Sequence, residues 1–112
     1  MTANIRDKTA IVGIGATPYF KRGRSEPQTL DELVCKSILK ALDDAGLKPA
    51  EVDGFAYFAG GFDTGLIMET LGIPEVRFSA SLTGSGGGSA GCVGLASAAV
   101  GSGMAKTGGC VG

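Results

Sequence analysis

The chain has 112 residues, 44% of them hydrophobic, with a formal net charge of -1, which suits one small globular unit and gives no basic stripe for nucleic acid. It contains no His and no Trp, so an imidazole base or ligand is excluded from this stretch. Its three cysteines, Cys35, Cys92 and Cys110, are odd in number and lack CxxC spacing, which argues against a disulfide framework or a zinc site and fits a reducing cytoplasm.

The first eight residues contain no apolar run of the secretory kind. Thr9 to Gly15, reading TAIVGIG, is β-branched and apolar and is expected to form a strand buried on both faces. Gly13-Ile14-Gly15 begins like a dinucleotide fingerprint. Pro18 stands where the third glycine belongs, however, and a polar stretch follows instead of a helix, so a strand-ending turn is the better reading. Lys21, Arg22 and Arg24 could hold a phosphate, but their setting between Pro18 and Pro27 predicts a solvated loop.

Thr29-Leu30-Asp31-Glu32 is a capping box. The helix it opens places Leu30, Leu33, Val34, Ile38 and Leu42, with Ala41 and Ala45, on one apolar face, and Gly46 ends it. Pro49 to Asp53 reads as a short turn, Gly54 to Ala59 as a second strand, and Gly60-Gly61 as its end. Thr64 to Leu71 is a short helix stopped by Gly72 and Pro74, and Val76 to Ser81 is a third strand. Ala90 to Ala105 is then expected as a helix of small residues, and Gly109 to Val111 as the start of a fourth strand. Strands alternating with helices predict an α/β fold with a largely parallel sheet. The stretch between Arg77 and Lys106 carries no charge, but Ser, Thr, Gly and Ala dominate it. A buried helix entered through a tight loop is expected there, with no membrane span.

The strongest site signal is the loop Gly84, Ser85, Gly86, Gly87, Gly88 and Ser89 at the start of that helix. Exposed amides at a helix N-terminus attract negative charge, and glycines admit a ligand at close range. The absence of GK[ST] excludes a P-loop. Cys92 lies in or near the first turn, where a helix favours the thiolate form, which makes it the candidate nucleophile. A small core thiol is the competing reading.

Three segments in order, AIVGIGATPY, ALDDAGLKPAEVDGF and GGGSAGCVGLASAAVGSGMA, resemble the thiolase superfamily, closest to its lipid-transfer-protein (sterol carrier protein X-like) type. The resemblance implies a layered thiolase-like fold with a largely parallel mixed sheet and a buried small-residue helix. Residues 1–112 would be the N-terminal part of such a domain, truncated before the fold is complete. It further implies a homodimer acting on a coenzyme A thioester as substrate, with no permanently bound cofactor. Classical members carry an acylated cysteine just before the buried helix. The matching positions here, Gly86 to Gly88, are glycine. That departure points to the branch that resembles aldolases, which cleaves a β-hydroxyacyl-CoA side chain alongside a small OB-fold acyl-CoA-binding partner. A conventional acetyl-CoA acetyltransferase using Cys92, and a non-catalytic acyl-CoA- or lipid-binding subunit, are the alternatives. For the aldolase-like reading the acid or base would lie beyond residue 112.

Overall fold

The computed structural model describes residues 7–18, 29–58, 62–82 and 87–112. Helix α1 spans Leu30–Ala45. The Thr29 hydroxyl accepts the Glu32 amide at 3.2 Å, and Gly46 closes the helix in the left-handed region at φ 71°, as the box and the glycine predict. A 3₁₀ turn, Pro49–Glu51, leads into β1 (Gly54–Phe58). Helix α2 (Thr64–Leu71), capped by the Asp63 carboxylate, precedes β2 (Phe78–Leu82). Helix α3 (Gly88–Gly101) then leads to β3 (Gly108–Val111).

The three strands form one parallel sheet in the order β2-β1-β3. From β1 the chain moves outward to β2 through α2. It then passes back over β1 to β3 through α3. Parallel crossovers are right-handed, so two connections running in opposite directions place their helices on opposite faces. The packing follows this rule. Phe55 and Tyr57 of β1 point toward α1 and α2, in a core with Val34, Cys35, Ile38, Leu42, Ile67 and Ile73. Ala56 points the other way and packs with Cys92 and Ala96 of α3.

One side chain ties the strands together at their N-terminal ends. The Asp53 carboxylate accepts the Lys106 amide at 2.9 Å and the Thr107 amide at 3.0 Å, while its carbonyl accepts Arg77 and Phe78 amides. All three strands are thereby set in register from one residue.

Three expectations need correction. Thr9 to Gly15 is extended but pairs with no strand among the described residues, and Ile11, Val12 and Ile14 are exposed at 73%, 61% and 76%. Its two glycines let the backbone lie flat on α1, where a Cβ at Gly13 or Gly15 would strike the Ala41 backbone. The Ile14 amide donates to Asp44 at 2.9 Å and Lys40 donates to the Ala16 carbonyl at 3.1 Å. The segment is thus held to α1 by side-chain hydrogen bonds at its end and not by a strand ladder. Within α1, Leu30 is exposed and Cys35 takes an inward place. The buried stripe is therefore rotated by part of a turn from the one read off leucine spacing. Helix α3 also starts two residues early and ends at Gly101, where Gly103 turns left-handed at φ 84° and the Met104 amide returns to the Ala99 carbonyl.

Candidate functional site

In an open parallel sheet, ligands gather outside the C-terminal strand ends, where neighbouring crossovers leave on opposite faces. Here the crossovers that leave β1 and β2 take opposite faces, which directs attention to the C-terminal end of the sheet. A cavity of about 190 Å³ opens there, lined by Phe58 at the end of β1, Ser89, Cys92 and Val93 of α3, and Cys110, Val111 and Gly112. The structure thus brings Ser89 and Cys92, singled out from sequence, to the switch point together with Phe58 and Cys110, which were not.

Helix α3 begins at this end of the sheet with no side-chain cap at its N-cap residue. Gly87 occupies the N-cap position, leaving the first-turn amides without partners inside the helix. Gly88 has a steric role as well. A Cβ there would drive into the Phe58 ring, so the ring can lie against the first turn of α3 only if residue 88 is glycine. Gly84, Ser85 and Gly86, the rest of the expected loop, lie outside the described residues, as do Lys21, Arg22 and Arg24.

Cys92 faces the sheet, 2% exposed, in a cluster with Ala56 and Ala96 against which Phe58, Leu82 and Leu95 pack. Cys110 is exposed, and its sulfur lies 3.9 Å from the Cys92 carbonyl oxygen. The residue is exposed but its sulfur is partly buried against α3, and that desolvation, with Cys92 beside it, pushes the Cys110 thiol above its ordinary range. No described cluster of three or more His, Cys, Asp or Glu could hold a metal ion. No helix among the described residues is long and apolar enough to cross a membrane.

On the opposite face a row of hydroxyls links the interior to the surface. Tyr57 Oη lies 2.8 Å from Thr64 Oγ1, which lies 3.0 Å from Ser79 Oγ. Burial raises the Tyr57 phenol above its usual value, partly offset by the Thr64 bond.

No family model matches the chain. It is 39% identical over 99 residues to a steroid side-chain-cleaving aldolase of Thermomonospora curvata, covering 87% of this chain and 24% of that protein. It is also 39% identical over 100 residues to the 17-hydroxy-3-oxo-4-pregnene-20-carboxyl-CoA lyase of Mycobacterium tuberculosis, covering 88% and 25%. The chain therefore spans about a quarter of the length of the curated relatives it matches. Among solved structures, an Ltp2-ChsH2(DUF35) aldolase superposes with a TM-score of 0.77 at 35% identity, over 86% of this chain and 25% of that one. A priming β-ketosynthase of the R1128 polyketide pathway superposes at 0.60 with 23% identity, over 73% and 26%, a likeness of fold alone.

Proposed function

We propose that this chain, thiolase-like in sequence and in fold, supplies the glycine-loop half of an active site that cleaves a carbon–carbon bond in a β-hydroxyacyl-CoA. The observation that carries this reading is the 39% identity to an aldolase and to a lyase named for a CoA substrate. It is joined to glycine, not cysteine, at the start of α3. In such a retro-aldol cleavage the β-hydroxyl loses its proton and becomes a ketone. The bond between the α and β carbons breaks, and its electron pair passes into the thioester as an enolate. That enolate then takes a proton at the α carbon. No acyl-enzyme is needed.

Residues 84–89 are the substrate-binding loop in this account. The uncapped amides of α3 would meet the thioester oxygen as it gains charge, and oriented donors of that kind stabilise an oxyanion without a nucleophile. No carboxylate or imidazole lines the described cavity, so the proton acceptor is assigned to another part of the enzyme. Cys92 is the thiol whose acylation would mark the alternative acetyltransferase chemistry. Its burial against Ala56 and Ala96 favours the cleavage reading.

We also assign the enzyme to the cytoplasm, with the CoA thioester arriving as substrate and no resident cofactor. A homodimer is supported by the uncharged outer strand β2, whose far edge has no partner among the described residues and whose Ser79 and Ser81 are exposed. A small OB-fold acyl-CoA-binding partner is supported by the two-part name of the aldolase that superposes at a TM-score of 0.77. The test is to incubate the full-length protein with a 17-hydroxy steroid-20-carboxyl-CoA thioester and separate the products. The expected result is a 17-ketosteroid with a three-carbon acyl-CoA in equal amounts. Free CoA released from an intact steroid acid would reject carbon–carbon cleavage.

A further inference from the structure

The face of the sheet that meets α3 changes size along its strands. Ala56 and Ala80 are ladder partners, and two residues further on Phe58 is paired with Leu82 at the last rung. Side chains two apart on a strand share a face, so a rung of two small residues is followed by a rung of two large ones. Helix α3 packs Cys92 and Ala96 on Ala56, with Phe58 and Leu82 against the same cluster. Its first turn must then pass over the larger rung, and it does so through glycine. A Cβ at Gly88 would enter the Phe58 ring, and one at Gly91 would stand 2.8 Å from Leu82 Cδ1. These two glycines are three apart and so lie on one side of the helix. Gly87 and Gly94 differ, because a Cβ at either would meet nothing within 4 Å. Among these four, the notches stand where the last rung presses in.

We propose that Phe58, with Leu82 beside it, is a positioning residue of the site: the pair seats the first turn of α3 at the end of the sheet and so fixes where its uncapped amides stand. The Gly87 carbonyl accepts the Gly91 amide at 3.0 Å, and Gly87 offers no side-chain cap. The end of α3 is therefore located by packing and not by a capping bond. The ring is the firmer of the two contacts, since it meets the Gly88 position with several atoms of its edge. Leu82 meets Gly91 through one terminal methyl, which a rotamer change can move. Neither side chain carries a polar atom, so both act through the amides they place. Donors aimed at developing charge lower the barrier more than they tighten substrate. A displacement of about 1 Å can cost about 100-fold in rate. Cutting back the ring should thus lower kcat and leave KM nearly unchanged.

This effect on rate rests on the cleavage function proposed above, whereas the seating of α3 rests on packing alone. The experiment compares full-length Phe58→Ala and Phe58→Leu with Ile67→Val, a truncation in the core on the opposite face of the sheet. Melting curves set an assay temperature at which all are folded, and kcat and KM are measured there with the 17-hydroxy steroid-20-carboxyl-CoA thioester. F58A is expected to lose about 10- to 100-fold in kcat, with KM within about threefold of the parent. F58L restores apolar bulk and should recover part of that loss, while I67V should keep the parent kcat. An unchanged kcat in F58A, a change confined to KM, or an equal loss in I67V would overturn the positioning role. Gly88→Ala reads the seating without activity. It should lower the melting temperature, and adding F58A to the same chain should restore part of it. Strictly additive shifts would overturn the seating. A parent that cleaves no thioester would reject the proposed function and the rate effect with it, and the melting curves would still decide the seating.

Discussion

The two faces of the sheet are built from different alphabets. Toward α1 and α2, β1 presents Phe55 and Tyr57, stacked at 5.8 Å between ring centroids, and Phe62 stacks on Tyr57 at 5.4 Å. Toward α3 it presents Ala56, and α3 answers with Cys92, Ala96 and Ala99 as its buried residues. Alternation along a single strand thus separates two jobs. The aromatic face removes large apolar areas from water and carries the stability. The small-residue face brings the α3 backbone close to the sheet and delivers an uncapped helix end to the switch point.

Truncation on the aromatic face should have the largest effect. Phe55 is fully buried, and Phe55→Ala should cost about 3–5 kcal/mol in denaturant unfolding of the full-length protein. A loss below about 1 kcal/mol would mean that this face is not the stabilising one. On the other face the harmful change is enlargement. Gly88→Ala forces the Phe58 ring aside and should cost about 1–3 kcal/mol. Phe58→Ala in the same chain should recover part of that loss, and strictly additive single and double variants would show that the two residues do not meet.

Asp53 belongs to neither face, and Asp53→Ala tests whether the strand ends need its tie. Removing an acceptor of the Lys106 and Thr107 amides should cost about 1–3 kcal/mol. The smallest effect concerns Tyr57. Tyr57→Phe removes the bond to Thr64 and should cost about 1 kcal/mol near neutral pH. Because the folded phenol titrates above its unfolded value, the unfolded chain loses that proton first as pH rises. The stability it contributes is present below the unfolded pKa and is lost on going up through the folded one. A pH series of melting temperatures should therefore fall more steeply above about pH 10 for the parent than for Y57F.

Much of this division could be read before any coordinates. Thr29, Gly46 and Gly72 mark helix ends through local chemistry, and the structure places those ends accordingly. The uncharged glycine loop leading into a small-residue helix carries the family resemblance and the candidate site. Other features depend on neighbours distant in sequence. Thr9 to Gly15 has a strand's composition, but it lies against α1, with its Ile14 amide held by Asp44. Phe58 reads as an ordinary strand residue until α3 lays Gly88 against its ring. Cys110 joins Cys92 only through the β1–β3 register, which no spacing along the chain encodes.

The central claim is cleavage at a glycine loop without an acyl-cysteine. It is tested most directly by acid-quenching the full-length protein during turnover of the steroid thioester and measuring its intact mass. The account predicts ketone and shortened acyl-CoA accumulating while the protein mass stays unmodified. An acyl adduct that appears and decays at the turnover rate and maps to Cys92 would contradict it, and would place the chemistry on the thiol behind Phe58.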